Sequence, residues 1–453
     1  MTTVSEPVEP GATASLGGRG LRSVEEARAA VIAAVPGALP AETVPTEAAL
    51  GRVLAEPVRA AVDLPPWDNS AMDGYALRAA DVAGATPERP VVLEVVGDAP
   101  AGRPATAAVG PGTAVRIATG APVPPGADAV VPVEETRPIA AEAAPAPEGP
   151  LPARVAILVA APVGYSIRPR ASDVAAGQVI LAAGIVVTPA AVALAAGAGV
   201  ASLLVHRRPV VGVLATGDEV RRPGEALGPA GIPDANGPGL RSLVRTAGAE
   251  VVDLGVAPDE LEAVVAAVGA VLDRVDAVIV SGGVSVGPYD VVRSAFGRLG
   301  SVGLWRVAIQ PGKPFAFGTA ARADGRTVLL FGLPGNPVSS FVTFDLFVRP
   351  ALRVLAGRPP MAGRLEAAVL TEGTKKSLGR RAYLRVVVLR DADGRPRRDE
   401  AGRLLVRLAG AQGSHVLSAL AAADAYAIVP EPLAEVAAGT VVDLAWLEHG
   451  ERT

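Results

Sequence analysis

Three short glycine-bearing segments carry the side chains best suited to chemistry: Thr216-Gly-Asp-Glu219, Ser281-Gly-Gly-Val-Ser-Val-Gly-Pro-Tyr-Asp290 and Leu333-Pro-Gly-Asn-Pro-Val-Ser339. Glycines let backbone N–H groups approach an anion, and a helix start that follows adds partial positive charge. One such segment is equally well a tight turn that needs a positive φ; three at the same edge of one sheet point to a site. Asp218, Glu219, Asp259 and Asp290 fall at that edge. Taken singly they are ordinary turn or cap residues. Beside anion-binding loops, however, carboxylates repel a phosphate unless a divalent cation stands between them. The combination points to Mg²⁺-dependent chemistry on a phosphoanhydride, centred on Ser281–Asp290. No Gly-x-x-x-x-Gly-Lys-Ser/Thr occurs, and no Gly-x-Gly-x-x-Gly opens the region, so neither a P-loop nor a dinucleotide fold is indicated.

Further candidates are scattered. Lys313, on the turn Gln310-Pro-Gly-Lys-Pro-Phe315, is placed to meet an anion. Asp68-Asn-Ser-Ala-Met-Asp-Gly-Tyr75 packs two carboxylates and a hydroxyl into an irregular stretch. Arg168, Arg170, Arg380, Arg381 and Arg385 are candidate anion contacts, each alone an ordinary surface charge.

The elements that must position these residues begin at Pro209. Apolar runs without alternation (Val210–Leu214, Val251–Val256, Ala277–Val280, Gly303–Ile309, Thr327–Phe331) alternate with helical stretches (Leu240–Ala247, Asp259–Val275, Val291–Arg298, and Pro337 to Leu355 after an Asn336 N-cap). That pattern predicts a parallel sheet covered on both faces, with ligands beyond the carboxyl ends of its strands. Upstream, Ser23-Val-Glu-Glu26 is a capping box that opens a helix over Val24–Val35, with a second helix expected at Thr46–Leu54. Short β-type runs punctuated by Gly and Pro fill 91–180, with Thr136–Pro152 expected as an exposed loop. The Ala-rich helix Thr188–Gly199 is expected to pair with the N-terminal helices, making the β module an insertion. After Gly357-Arg-Pro-Pro360, alternating runs at Tyr383–Leu389, Leu404–Leu408, Ala425–Val429 and Val441–Leu444 suggest a small barrel or sandwich, with an Asp393-Gly394 turn.

Composition sets outer bounds. A chain of 453 residues exceeds one ordinary domain and implies three or four units. A net charge of −4 gives no reason to expect nucleic acid or an anionic membrane as partner. With no cysteine and three histidines, thiolate chemistry and multi-histidine metal sites fall away, leaving hard cations held by carboxylates. Residues 1–20 read as a disordered tail without an apolar signal core, and no apolar run is long enough to span a bilayer; a cytoplasmic location is expected.

Several of these stretches together carry a family resemblance: DLPPWDNSAMDGYALR (Asp63–Arg78), RIATGAPVPPGADAVVPVEET (Arg116–Thr136), ATGDEV, SGGVSVGPYD, VAIQPGKPFAFG, LPGNPVSSFVTF and GAQGSHVLSALAAADAYAIVP. From about residue 21 to 448 the chain resembles the MoeA-type molybdopterin molybdenumtransferases, whose module also forms the C-terminal part of gephyrin. The resemblance implies a homodimer with a composite active site. Adenylylated molybdopterin and molybdate would be the substrates, AMP the leaving product, Mg²⁺ the supporting cation, and a molybdopterin adenylyltransferase a pathway partner.

The fold it implies is multidomain α/β. A disordered tail (1–20) precedes a discontinuous helical dimerisation segment (21–60 with 181–208), an inserted mostly-β domain (61–180), a three-layer α/β/α molybdopterin-binding domain (209–358) and a C-terminal β barrel (359–450). The family's acidic catalytic positions fall on Asp73, Asp173, Glu219, Asp259 and Asp290, with Glu219, Asp259 and Asp290 as metal candidates, and its threonine on Thr119. Substrate binding would fall to Ser281, Gly282, Gly283, Ser285, Pro334, Gly335, Asn336 and Ser339, with Lys313, Arg385 and Ser414. Two basic family positions are Arg306 and Gln310 here, and the second loses its charge. The α/β domain alone also resembles the related adenylyltransferase, and gephyrin-type modules also act as scaffolds. The Asp68–Ala76 segment and the C-terminal β domain favour the insertase, and the retained acidic set argues against a pure scaffold.

Overall fold

A computed structural model describes residues 21–139, 151–283, 291–360 and 365–447. The chain divides into two compact units, 1–42 with 206–453 and 43–205.

The first unit opens with α1 (Val24–Ala33), capped as expected: Glu26 N–H donates to Ser23 Oγ at 3.1 Å and Ser23 N–H to Glu26 Oε2 at 2.8 Å. The α/β domain follows as β1 (Val210–Thr216), α2 (Asn236–Thr246), β2 (Glu250–Ala257), α3 (Leu261–Gly269), β3 (Ala277–Ser281), α4 (Val291–Leu299), β4 (Gly300–Arg306), β5 (Pro314–Ala321) and β6 (Thr327–Leu333). Its six-stranded sheet runs β2-β1-β3-β6-β5-β4. The first four strands are parallel; β5 and β4 are antiparallel additions. Because side chains alternate along a strand, Val211, Val213, Ile279 and Phe331 enter one core with α1 and α2. Leu214, Val278, Val280 and Leu330 enter the other, against α3 and α4. The three-layer expectation is met.

After β6 a long helical stretch runs as Pro337–Thr343, a π-turn Phe344–Val348 and Arg349–Leu355. Then come β7 (Glu366–Leu370), β8 (Arg381–Val388), β9 (Leu404–Leu408), β10 (Ala425–Val429) and β11 (Thr440–Trp446). Pairing β8-β9-β7-β11-β10 closes back onto β8, giving a five-stranded barrel. Its Tyr383 and Tyr426 share the first core of the α/β domain.

The second unit holds a six-stranded sheet whose strands, in spatial order, are Ala129–Pro132, Gly74–Leu77, Thr113–Ile117, Val91–Ala99, Arg154–Ile157 and Thr136–Ile139. The loop expected from Thr136 therefore begins as an edge strand, paired with Arg154–Ile157. The expected partnership of the first helix with the Ala-rich helix is corrected. α1 buries Val24, Ala27 and Val31 in the α/β core, whereas Ala191 and Ala195 of the helix Pro189–Gly197 pack with Ala49, Leu54 and Leu203. The helix expected over Thr46–Leu54 shortens to one 3₁₀ turn, Thr46–Ala49, and the chain past Gly51 bridges Val53 and Leu54 to other segments.

Candidate functional site

In the sheet order, β1 lies between β2 and β3, so the chain leaves β1 to one side and returns on the other. Such a reversal opens a crevice at the carboxyl ends of the strands. Thr216–Glu219, Asp259, Ser281–Gly283 and Pro334–Asn336 all follow strands ending at that edge. The turns are interlocked. Gly282 N–H donates to the Leu333 carbonyl at 3.1 Å. Gly282 and Gly283 have φ of 102° and 62°, and a β-carbon on Gly282 would stand 2.5 Å from the Thr216 carbonyl oxygen. Ser281 is buried, its Oγ 3.4 Å from the Pro334 carbonyl and 3.4 Å from Ser340 Oγ.

Sequence reasoning missed Asn236, the residue that ties these turns together. Its Nδ2 donates to Ser281 Oγ at 2.8 Å and to the Gly335 carbonyl at 2.7 Å. A carbonyl only accepts, so the amide must face Gly335 with its nitrogen. Asn236 Oδ1 is then left buried, without a partner among the described residues. The approach to Asn236 is braced: Ile232 N–H donates to the Glu219 carbonyl at 2.8 Å, Asp234 N–H to the Arg221 carbonyl at 2.7 Å, and Gly237 N–H to Asp234 Oδ1 at 2.8 Å. The available signal was Asp234-Ala-Asn236 ahead of a helix, which many helix starts share.

Acidic residues gather at the mouth. Asp259 N–H donates to Asp218 Oδ1 at 3.1 Å. Burial and the charges of Asp218 and Glu219 push the Asp259 carboxyl above its ordinary pKa, against a lowering hydrogen bond from Thr216. Among the described residues no group of three or more histidine or carboxylate side chains forms a ready metal cage. Mg²⁺ is typically held by one or two carboxylates together with substrate phosphates rather than by an all-protein cage, and Asp218, Glu219 and Asp259 are oxygen donors of that class. Ser285 and Asp290 lie outside the described residues.

The barrel closes over the β6 turn. Asn336 was expected to cap the following helix, but its side chain makes no capping bond; Val338 N–H instead donates to the Ser414 carbonyl at 3.1 Å. Arg385, 1% exposed, holds the Ser414 loop, donating to the carbonyls of Ala411 at 3.3 Å and Gly413 at 3.1 Å. Its Nε finds no partner among the described residues, and burial lowers its pKa. Ser339 is buried in the helix; its neighbour Ser340 is the one that reaches the Ser281 hydroxyl and the Pro334 carbonyl. Gln310 turns to the barrel, where its Oε1 accepts the Ser377 N–H at 2.8 Å. Arg306 and Lys313 flank it on the same turn.

In the second unit Asp73 and Thr119 are joined: Thr119 donates to Asp73 Oδ1 from its N–H at 2.6 Å and its hydroxyl at 2.8 Å. The strand pairing of Gly74 with Ile117 sets that distance. Asp173 is exposed on a loop fixed to the Asp63–Asp73 stretch. Its N–H donates to the Leu64 carbonyl at 3.1 Å, while Arg170 donates to Asp63 Oδ2 from Nε at 2.5 Å and to Asp68 Oδ1 from its backbone N–H at 2.7 Å.

Known proteins place this architecture. Family models match in order: "MoeA N-terminal region (domain I and II)" over residues 22–199, "Probable molybdopterin binding domain" over 212–354, and "MoeA C-terminal region (domain IV)" over 367–447. A Mycobacterium tuberculosis protein named molybdopterin molybdenumtransferase 2 is 43% identical over 430 residues, covering 93% of this chain and 98% of its own. The chain belongs to the MoeA family. A Haemophilus influenzae protein named molybdopterin molybdenumtransferase is 34% identical over 432 residues, covering 94% of this chain and 99% of its own. The solved molybdopterin biosynthesis MoeA protein from Pyrococcus horikosii superposes with a TM-score of 0.73 at 30% identity, covering 94% of this chain and 99% of that one. The crevice of the α/β domain thus falls in the part of the MoeA fold whose model is described as molybdopterin-binding.

Proposed function

We propose that the protein is a molybdopterin molybdenumtransferase, which inserts molybdenum from molybdate into adenylylated molybdopterin and releases AMP in molybdenum cofactor biosynthesis. The observation that carries this is the β1/β3 crevice, where turns interlocked through Asn236 lie beside Asp218, Glu219 and Asp259, the last with its pKa raised by burial and by the other two charges. Backbone N–H groups of the turns bind phosphate oxygens, and Asn236 holds the turns in one geometry. Asp218, Glu219 and Asp259 are the carboxylates that would hold Mg²⁺, with Asp290 as a further donor. Bound there, Mg²⁺ supplies charge neutralisation and polarisation of the phosphoanhydride. Arg385 acts through the Ser414 loop to position the start of the helix after β6.

The same proposal includes a homodimer in which the Asp73–Thr119 pair of one copy completes the site of the other, a cytoplasmic location, and an adenylyltransferase that supplies the substrate. No described helix is long and apolar enough to cross a membrane. Incubation of the purified protein with adenylylated molybdopterin, molybdate and Mg²⁺ is expected to release AMP and yield cofactor that activates a molybdoenzyme; no AMP release would overturn the proposal.

A further inference from the structure

Aromatic side chains are scarce in this chain, and the fold hides nearly all of them. Phe296, Phe315, Phe331, Phe344 and Phe347 are fully buried. Trp67 is the one aromatic residue in the exposed class among the described residues, with 47% of its surface in solvent. An indole carries a large apolar area, and the fold leaves nearly half of it uncovered.

Trp67 is presented rather than loose. On its N-terminal side Leu64 N–H donates to the Val174 carbonyl at 2.8 Å, and Ala171 N–H to the Pro65 carbonyl at 3.0 Å. On its C-terminal side Val123 N–H donates to the Asp68 carbonyl at 3.0 Å, and Ser70 N–H to the Ala121 carbonyl at 3.1 Å. The chain is therefore pinned just before and just after the indole. A side chain held this way loses little freedom when a ligand arrives, which makes it an efficient anchor.

The neighbouring charges are already engaged. Asp63 holds the Arg170 side chain and Asp68 Oδ1 accepts the Arg170 N–H, while Arg168 donates to the Ala71 carbonyl at 3.3 Å. An aromatic face bordered by engaged charges suits a neutral planar ring better than an anion. The same segment continues through Met72, which is also exposed, to Asp73 and its partner Thr119. The substrate of the proposed reaction carries two planar heteroaromatic rings. Its pterin has a place in the α/β crevice, within the region whose family model is described as molybdopterin-binding. The purine of the adenylyl group is the ring left to place.

We infer that Trp67 stacks on the adenine ring of adenylylated molybdopterin, which makes the Asp63–Asp73 segment the adenylyl-binding side of the site. The inference rests on the transferase reading.

Kinetics and binding of the full-length protein test it. Trp67→Ala is expected to raise KM for adenylylated molybdopterin about tenfold, the scale on which loss of one base–aromatic stack acts, with KM for molybdate unchanged. Trp67→Phe should recover most of the loss; Trp67→Leu, apolar but without a π-face, should not. Recovery by leucine would overturn the stacking role, and a Trp67→Ala protein that loses affinity only because its dimer dissociates would give the indole to a second copy instead. Calorimetry with AMP, and separately with molybdopterin lacking the adenylyl group, distinguishes the two rings. AMP affinity should fall in Trp67→Ala while molybdopterin affinity holds; the reverse would overturn the assignment by giving the indole to the pterin. AMP binding that depends on Trp67 in a protein releasing no AMP from adenylylated molybdopterin would uphold this contact while refuting the transferase reading. Normal AMP release by wild type, with KM and AMP affinity unchanged in Trp67→Ala, would refute this contact alone.

Discussion

Gly282 sits so close to Thr216 that a β-carbon on it would stand 2.5 Å from the Thr216 carbonyl oxygen and 2.7 Å from its Oγ1. The contact joins the ends of β1 and β3, the two strands that flank the crevice. Gly282→Ala adds both this clash and the strain of a side chain at φ 102°. It is expected to destabilise the α/β domain by about 1–3 kcal/mol and to abolish AMP release. Thermal melting and steady-state kinetics check this; a fully active, equally stable alanine variant would show that the approach is not needed.

Asn236→Ala removes both donors that couple Ser281 to Gly335. The turns lose their common brace while the hydrophobic core is untouched, so kcat/KM should fall by roughly 10–100-fold, the scale set by misplaced contacts in a preorganised site. Asn236→Asp keeps the shape but not the donors, and should lose activity to a similar degree. A variant pair in which aspartate retains wild-type rates would assign the role to Oδ1 instead.

Asp259 carries a pH signature. Its folded pKa is raised by burial, then by Asp218 and Glu219, so the folded state holds the proton more tightly than the unfolded chain. Without Mg²⁺, stability is therefore greatest below the unfolded value, near ~3.9. It falls as pH rises through the raised folded value and is level above it. Asp259→Asn abolishes this loss, so its advantage should grow across that window and plateau. Asp259 is exposed as a residue although its carboxyl is partly desolvated, so solvent screening holds the gain to about a few tenths of a kcal/mol. Melting curves of both proteins in chelator across pH 3–7 (roughly the span of the carboxylate range) decide it. The same substitution should weaken Mg²⁺ dependence of turnover.

The proposed composite assembly predicts complementation. Asp73→Asn and Glu219→Ala homodimers should each be inactive, because one lesion disables every site. Mixed and re-equilibrated, about half of the dimers become hybrids, in which one of two sites carries no substitution and the other carries both. Activity near a quarter of wild type is expected; none after demonstrated subunit exchange would place Asp73 and Glu219 in the site of a single subunit.

Much of this molecule was legible in its residues. Continuous apolar strands such as Val210–Leu214 and Ala277–Val280 announced a sheet buried on both faces, and the capping box at Ser23 fixed where the first helix begins. The glycine-bearing turns marked the crevice because close backbone approach and positive φ demand glycine at Gly282 and Gly283. Other features escaped. Pro314–Ala321 and Glu366–Leu370 are strands whose short patterns gain meaning only from their sheet neighbours. The first helix looked like a partner for the Ala-rich helix, yet its apolar face suits any apolar surface, and the α/β core claimed it.

Residue types and spacing by themselves determined the chemistry on offer: an anion cradle, carboxylates beside it, and no thiols. Only the tertiary structure decided which charges remain available. Arg170, Arg381 and Arg385 look no different from Arg380 in the chain, but the first two meet carboxylates and the third meets carbonyls. Asn236 likewise became a central residue only when the fold brought Ser281 and Gly335 within reach of one amide. The reason is physical: a side chain's type sets what it can bind, whereas its partners are fixed by contacts between segments tens or hundreds of residues apart, which no local pattern encodes.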